Sequence, residues 1–200
     1  MKSRILTAYP RSQFRQGNAS VFYIADFTER TESLRKVEIH ETIPQTPDRF
    51  QNMDCLTVNN PHTLTIEFNV FEDNQFKDEE GRDIQHCECC LFPAANDDIS
   101  WVAFVEIKDC KPKNIADYKE KVKEQIISTV QLFRNAHITT GQQKIYGIIS
   151  FPRKRKTGFN ETIFTDYTEY KRLYTEYHIH FYPTNTVQIK NGEILELIKT

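Results

Sequence analysis

The sequence predicts an α/β (α+β) fold, built on a central mixed β-sheet with one long helix. Three observations carry this prediction. Segment 62–72 alternates apolar and polar residues, which is typical of a half-buried strand. Segment 99–110 is an almost continuous apolar run, as expected of a strand that is buried on both faces. Segment 114–137 has apolar residues at helical spacing, and an antiparallel meander therefore feeds a helix that returns to a neighbouring strand at 143–152.

The elements before this core are predicted to be β-rich. Residues 1–18 are polar, and we expect them to be poorly tied down. Segments 20–28 and 35–43 are rich in β-forming residues, and they predict a hairpin. Segment 44–54 contains two prolines and predicts a loop, or a short helix after Pro47.

The remaining elements lie within and after the core. Segment 84–92 is predicted to pair with 99–110 as a hairpin about a turn at Asn96–Asp97. Segment 161–176 has helical spacing. The chain is predicted to close with strands at 177–182 and 186–198, and the segment 186–198 contains an Asn-Gly turn.

Length and composition favour one domain that spans residues 1–200, a size sufficient for a hydrophobic core. Within it we distinguish a β-rich N-terminal extension (20–61), a core (62–152) and an α+β C-terminal tail (153–200). The hydrophobic share of 38% and the aromatic share of 12% argue against a disordered chain.

Charge and localisation signals exclude some functions. The formal net charge of −2 creates no global field that would attract nucleic acid or an anionic membrane, so such attraction needs a local patch. No apolar run approaches the length of a membrane span, and the N-terminus lacks the apolar region of a signal peptide. We therefore expect a cytoplasmic protein without a membrane partner, whose five cysteines are reduced thiols.

Charged residues at the end of the most apolar strand are the main functional signal. Glu106 and Lys108 are two residues apart, so their side chains share one face of the strand. The predicted hairpin brings Glu88 near Glu106. Two carboxylates at such a short distance repel each other, and the arrangement is tolerable if a divalent cation lies between them.

This arrangement resembles the PD-(D/E)xK nuclease superfamily over roughly residues 62–152. Glu88 takes the place of the first acidic residue, and Glu106-Ile107-Lys108 matches the E-x-K. The long helix and the strand after it also stand in the expected order. The sequence departs from the pattern because Glu replaces the usual Asp at position 88, and because no helix is evident before residue 62.

The resemblance implies a restriction-endonuclease-like core and Mg²⁺- or Mn²⁺-dependent phosphodiester hydrolysis in DNA or RNA. Glu88 and Glu106 would bind the metal, with the Ile107 carbonyl as a further ligand, and Lys108 would assist the attacking water. Glu67, from the strand at 62–72, and Gln125, in the middle of the helix, are auxiliary candidates.

A basic run follows the strand at 143–152 and consists of Arg153, Lys154, Arg155 and Lys156. Such a loop can contact phosphates and so position a nucleic acid without reading its sequence. The alternative interpretation is a solvated charged loop.

Other interpretations of these residues stay open. Glu106 and Lys108 could form an ion pair at the surface. Cys87, Cys89 and Cys90, with His86 and Cys110, have some of the character of zinc ligands, although small buried strand residues explain them better. Cys87 and Cys89 are expected on one strand face and Cys90 on the other. His178 and His180 are expected to share a strand face that could hold a transition metal.

Two functions compete with a nuclease. The first is a non-catalytic protein of the same fold that acts in a complex, either with a partner protein or as a homodimer. The second is a β-rich binding domain in which the E-x-K is a coincidence. The nuclease predicts a third acidic group close to Glu88 and Glu106, whereas the non-catalytic protein predicts that this third carboxylate is missing. The coincidence predicts that Glu88 and Glu106 lie far apart or on opposite faces of the sheet.

Overall fold

Two β-sheets and a layer of helices organise the computed structural model, which describes residues 1–26, 37–44, 55–95, 99–108, 110–154 and 158–197. In chain order the elements are α1 (Lys2–Ala8), β1 (Gln13–Gly17), β2 (Val21–Asp26), β3 (Val37–His40), β4 (Leu56–Asn59), β5 (Ile66–Val70), β6 (Cys89–Pro93), β7 (Trp101–Ile107), α2 (Ile115–Asn135), β8 (Lys144–Ser150), α3 (Asn160–Ile163), α4 (Tyr167–Tyr177), β9 (Ile179–Pro183), β10 (Thr186–Ile189) and β11 (Leu195–Leu197). The protein is therefore an α+β protein with mixed sheets.

The first sheet has six strands in the order β1-β5-β6-β7-β8-β9. Strands β1, β5, β6 and β7 pair with one another in antiparallel orientation, whereas β8 pairs in parallel with β7 and with β9. Parallel strands need a crossover, and α2 and α4 supply the two crossovers. Because parallel strands end at the same side of a sheet, β7, β8 and β9 define one edge, which we call the carboxyl edge.

The second sheet has five strands in the order β11-β10-β4-β2-β3. It joins the two ends of the chain, since β4 pairs in parallel with β10, with Thr57 opposite Thr186. The other neighbours are antiparallel. The segments that the sequence assigns to an N-terminal extension and a C-terminal tail thus contribute to one sheet.

Two hydrophobic cores lie on either side of the first sheet. One is formed with the helices and includes Phe104 of β7 and Phe133 of α2. The other is formed between the two sheets and includes Trp101 of β7 and Phe22 of β2. All seven residues of β7 are buried because each of its faces is covered by one of these cores.

The close packing of α2 on the first sheet depends on Gly147 in β8. A Cβ atom at this position would lie 3.0 Å from side-chain carbons of Ile126 and Phe181. The apolar positions of α2, among them Val122 and Ile126, are buried against the sheet. Helical spacing and one small residue together fix where the helix lies.

The central predictions are confirmed. Segment 62–72 contains β5, whose Ile66 and Phe68 face the core between the sheets. Segment 99–110 contains β7, and 114–137 contains α2, with Asn114 at its N-cap position. The hairpin of 84–92 with 99–110 is present as β6 and β7, although its turn at residues 96–98 lies outside the described residues.

Three of the predictions for segments outside the core are confirmed, and one falls outside the described residues. The expected hairpin of 20–28 with 35–43 is present as β2 and β3, and β10 pairs with β11 around the Asn-Gly turn. The helix expected at 161–176 is present as α3 and α4. Segment 44–54 lies almost wholly outside the described residues.

The expectation that residues 1–18 are poorly tied down is wrong. They form α1 and β1, and β1 adds an edge strand to β5, with Arg15 opposite Phe68. Ile5 of α1 is fully buried in the core beside the helices. A helix therefore does precede residue 62, although none was evident from the sequence.

Among the helices of the described residues, none combines the length and the apolar character that crossing a membrane requires.

Candidate functional site

The hairpin of β6 and β7 brings Glu88 beside Glu106. Cys89 lies opposite Val105 in the antiparallel register. The N–H of Glu88 donates to the carbonyl of Val105 at 2.9 Å, and the carbonyl of Glu88 accepts from Phe71 N–H at 2.9 Å. Backbone hydrogen bonds on both sides thus fix Glu88 next to the end of β7.

Lys108 joins the two carboxylates at the carboxyl edge. Its Nζ lies 2.6 Å from Glu106 Oε1 and 3.6 Å from Glu88 Oε1. The two carboxylate oxygens are therefore no farther apart than the sum of these distances. The Lys108 N–H donates to the carbonyl of Ser150 at 3.0 Å, so β8 fixes the backbone from which this ammonium extends. We call Glu88, Glu106 and Lys108 the carboxylate cluster.

Burial distinguishes this cluster from an ordinary surface ion pair. Glu106 is fully buried and Glu88 is 3% exposed. The side chain of Lys108 is 20% exposed, so the ammonium is the group nearest to solvent. The interpretation of Glu106 and Lys108 as a surface ion pair is therefore wrong. The interpretation of the E-x-K as a coincidence is not favoured either, because Glu88 and Glu106 meet the same ammonium.

Electrostatics keep Lys108 positively charged. Burial alone would lower the pKa of its ammonium, but the carboxylates of Glu106 and Glu88 outweigh that effect, and the pKa is raised above its usual value. Asp26, the last residue of β2, adds to this effect and is 8% exposed. Asp26 was not predicted. It continues the inward-facing series of Phe22 and Ile24 in β2, but nothing in the local pattern shows that this series leads to Lys108.

Helix α2 holds the segment that leads into Glu88. Thr129 Oγ1 accepts a hydrogen bond from Cys87 N–H at 2.9 Å, and Gln125 Nε2 donates to the His86 carbonyl at 2.9 Å. Gln125, predicted as an auxiliary residue, is thus buried and contacts the backbone two residues before Glu88. Thr129 was not predicted, because a hydroxyl on a helix carries no distinguishing signal in the sequence.

Glu67 is not brought to the cluster. It lies opposite Phe92 in the pairing of β5 with β6, four residues along the chain from Glu88. At the usual rise per residue this is roughly 13 Å away. Its carboxylate accepts from Lys2 Nζ at 3.0 and 3.1 Å instead. Glu67 therefore anchors the start of α1 to the sheet.

The basic loop that the sequence predicts begins at the carboxyl edge, where β8 ends. A single 3-10 turn, Pro152–Lys154, follows β8 and carries Arg153, which is half-buried. The backbone of Lys154 belongs to this turn, whereas Arg155 and Lys156 lie outside the described residues. Residues 151–154 thus leave the sheet where the carboxylate cluster lies.

The alternative metal ligands are separated from one another. Cys87 and Cys90 face the core beside the helices, and Cys89 faces the core between the sheets. The prediction that Cys87 shares a face with Cys89 is wrong because the chain bends at Glu88, before the regular strand begins. Burial raises the pKa of the Cys89 and Cys90 thiols, which opposes thiolate formation.

The two C-terminal histidines also differ from expectation. His178 caps α4 in the left-handed conformation, with φ 51, and β9 begins only at the next residue. The prediction that His178 and His180 share a strand face is therefore wrong. The ring of His180 packs against Tyr146 and Tyr174 instead, and burial lowers its pKa.

The cluster offers hard oxygen donors, which is the chemistry that Mg²⁺ and Mn²⁺ prefer. Across the described part of the chain, His, Cys, Asp and Glu form no group of three or more that could hold a metal ion. The side-chain donors are thus the two carboxylates of Glu88 and Glu106. This number fits Mg²⁺, which is commonly bound by one or two carboxylates and completes its shell with water and substrate oxygens. The side chain of Ile107 is buried in the core between the sheets, so this residue offers only its carbonyl.

Comparison of the chain with models of protein families, with curated proteins and with solved structures gave no match in any of the three.

Proposed function

We propose that this protein is a metal-dependent nuclease with a restriction-endonuclease-like core, which hydrolyses phosphodiester bonds in nucleic acid. One observation carries the proposal. Glu88, Glu106 and Lys108 converge at the end of a fully buried strand, with the ammonium within 3.6 Å of both carboxylates. Burying two carboxylates around one lysine is costly, and such arrangements are concentrated at functional sites.

The order of the elements supports the same function. Three antiparallel strands, β5, β6 and β7, are followed by α2 and then by β8, which is parallel to β7. This is the succession that the resemblance of the sequence implies. With this order of strands, Glu88 lies just before the start of β6 and Glu106 and Lys108 lie at the end of β7, so that all three residues reach the carboxyl edge.

Each residue of the cluster has a distinct part. Glu88 and Glu106 would hold Mg²⁺ or Mn²⁺, with the Ile107 carbonyl as a further donor. The bound ion supplies Lewis acidity and makes a coordinated water more acidic. Lys108 carries a positive charge beside both carboxylates, so it orients the attacking water and stabilises the negative charge that develops on the phosphate oxygens.

The surroundings of the cluster support its rigidity. Thr129 and Gln125 hold residues 86 and 87 through hydrogen bonds, so Glu88 extends from a fixed backbone. Arg153 lies in the turn that follows β8 at the same edge, where it would contact substrate phosphates. Neither DNA nor RNA is favoured by these features.

A second candidate is the same fold acting without catalysis, in a complex with a partner protein or a second copy. Two observations favour it. The ammonium of Lys108 lies against both carboxylates, and across the described residues no third carboxylate joins Glu88 and Glu106 in a group that could hold a metal ion. In that case Lys108 permanently offsets one of the two carboxylate charges, and the ion pair serves only to hold the ends of β6 and β7 together.

The deciding experiment is cleavage of single-stranded and double-stranded DNA and RNA with Mg²⁺, with Mn²⁺ and with EDTA. We expect metal-dependent cleavage by the wild type that falls at least ~100-fold in Glu106→Gln and in Lys108→Met, as for other groups that stabilise developing charge. Glu193→Gln, which alters an exposed glutamate in the turn before β11, is the matched control and should keep full activity.

Folding of each variant is verified by circular dichroism and by urea unfolding. Absence of cleavage by folded wild-type protein on every substrate would leave the non-catalytic candidate. Cleavage that persists in folded Glu106→Gln would place the chemistry elsewhere in the protein.

A further inference from the structure

A cavity of about 310 Å³ opens at the start of α4, outside the carboxylate cluster. Its lining consists of Asn160, Phe164, Thr165, Asp166, Tyr167 and Tyr170. The volume lies at the lower end of the range for small-ligand sites. Nothing in the cleavage chemistry uses these residues.

Aromatic rings form one wall of this cavity. The rings of Tyr167 and Tyr170 are stacked, with centroids 6.1 Å apart and planes inclined by 25°. Phe164 meets Tyr170 edge-on at 5.4 Å and is itself buried in the core beside the helices. Tyr167 is 76% exposed, the largest exposed fraction among the large hydrophobic side chains of the described residues. A ring that is held in a stack but open to solvent is available to stack on a further planar group.

The cavity lies at the same edge as the carboxylate cluster. α4 connects β8 to the parallel strand β9, so it must run back across the sheet from the end of β8 to the start of β9. Its first residues, Tyr167 and Tyr170, are therefore at the carboxyl edge, where Lys108 also lies. The turn that carries Arg153 precedes α3 in the chain.

The rim of the cavity is held in place. The Asp166 side chain accepts from Glu169 N–H at 2.8 Å, and Glu169 Oε2 accepts from Thr165 N–H at 2.7 Å. Glu169 also pairs with Lys123 of α2. The start of α4, from which Tyr167 and Tyr170 extend, is thus fixed to the helix layer.

The chemistry of the lining favours a base over a phosphate. Asp166 places a carboxylate in the wall, which repels an anion. Asn160 and Thr165 add polar groups beside the rings, as the edge of a nucleobase requires. A phosphate next to such a base would instead be attracted to Arg153, in the turn that follows β8.

We propose that the cavity binds one unpaired nucleobase of a single-stranded nucleic acid, stacked on Tyr167, while the strand continues toward the carboxylate cluster. This inference rests on the proposed function, because it assigns the form of the substrate. Stacking is tolerant of base identity, so the cavity selects unpaired over paired strands and not one sequence over another.

Binding is measured in EDTA, so that cleavage cannot intervene, by fluorescence anisotropy with a labelled oligothymidylate and a labelled duplex of mixed sequence. We expect Tyr167→Ala to weaken oligothymidylate binding by about 5- to 100-fold, the range for loss of one base–aromatic stack. Tyr167→Phe keeps the ring and should bind as the wild type does. Tyr174→Ala removes another exposed tyrosine of α4 and is the matched control.

Wild-type affinity of Tyr167→Ala for the oligothymidylate would overturn the inference, as would an equal loss on the duplex or an absence of binding by the wild type. The nuclease is tested separately by the cleavage assay. If binding depends on Tyr167 but no substrate is cleaved, the nucleobase site is supported and the nuclease is contradicted. If cleavage depends on Glu106 but not on Tyr167, the nuclease is supported and the nucleobase site is contradicted.

Discussion

Lys108 and Lys123 each form ion pairs with two glutamates. The glutamates are the more buried partners at Lys108, whereas the lysine is the more buried partner at Lys123. At Lys108 the glutamates are buried, with side chains 0% and 4% exposed, and the lysine is the more exposed member. At Lys123 the lysine side chain is 4% exposed, whereas its partner Glu120 is 63% exposed. The same residue types thus produce a desolvated pair of acids in one place and a desolvated base in the other.

This difference separates a candidate site from a structural contact. The Lys108 cluster concentrates negative charge where little water reaches it, which favours a cation. Lys123 carries its positive charge into the contact between α2 and α4, and it lies 5.9 Å from the centre of the Phe164 ring. Its glutamates can be hydrated or partly hydrated, so its ion pairs hold the helices without accumulating buried charge. Three predictions follow from the contrast, in order of expected effect.

The largest difference is expected between Lys108→Met and Lys123→Met. Lys108→Met leaves two buried carboxylates with no ammonium, and we expect the free energy of unfolding in EDTA to fall by about 3–5 kcal/mol. Lys123→Met leaves one exposed glutamate, Glu120, and one partly hydrated glutamate, Glu169, and it puts an apolar chain in an apolar site, so the loss should stay below about 2 kcal/mol. Urea unfolding measures both.

Metal gives the matching control. Added Mg²⁺ should restore part of the stability of Lys108→Met, since loss of the ammonium leaves more negative charge to attract the ion, and it should stabilise Lys123→Met only as much as it stabilises the wild type. Equal losses in the two variants, or no response of Lys108→Met to Mg²⁺, would mean that the two clusters do not differ in the way their burial indicates.

Thr129→Val tests whether the helix positions Glu88. The change removes the acceptor of the Cys87 N–H at nearly constant volume, and we expect the free energy of unfolding to fall by about 1–3 kcal/mol. The effect should be non-additive with Lys108→Met and additive with Lys123→Met, because only the first shares the segment that leads into Glu88.

Thr129→Ser, which retains the hydroxyl, is the control for Thr129→Val. Double-mutant unfolding curves provide the measurement. Additivity of Thr129→Val with both lysine variants would show that the hydrogen bond stabilises the protein without affecting the carboxylate cluster.

The smallest effect is expected from the pH dependence of the Lys123 cluster. Burial would raise the pKa of Glu169, but hydrogen bonds from Lys123 and from Thr165 outweigh it and lower the pKa below its ordinary value of 4.5. A lowered pKa contributes stability that is present above 4.5 and is lost as the pH falls through the value of the folded state.

Glu169→Gln should therefore be less stable than the wild type at neutral pH, and the difference should shrink as the pH falls below 4.5, as urea unfolding at a series of pH values would show. Glu120→Gln, in which an exposed partner of the same lysine is changed, is the matched control and should lose less stability at neutral pH. A difference between Glu169→Gln and the wild type that is independent of pH would contradict the assignment.

Sequence periodicity predicted the core of the fold because packing enforces it. β7 and α2 are buried along their length, so their apolar residues follow the period of the element. The position of the candidate site was predicted from strand pairing, since the hairpin of 84–92 with 99–110 brings Glu88 near Glu106. Local pattern and long-range structure agree in this part of the chain.

Elements that depend on distant partners were missed. β1 is largely polar and is a strand because β5 offers it an edge, and the burial of Ile5 in α1 depends on a core formed by later residues. Thr129 contacts Cys87 across 42 positions of sequence, and Asp26 approaches from the other sheet. Such contacts leave no local periodicity, so a single sequence cannot reveal them.

The parallel pairing of β4 with β10 bears on how the chain folds as it is synthesised. Thr57 must wait for Thr186, so the second sheet has an open strand edge on the nascent chain until residues 186–189 emerge from the ribosome. Contacts of such large sequence separation slow folding, and an unpaired edge invites association with other chains. Completion of the second sheet is therefore a late event, and it is the stage at which a chaperone would have the most to protect.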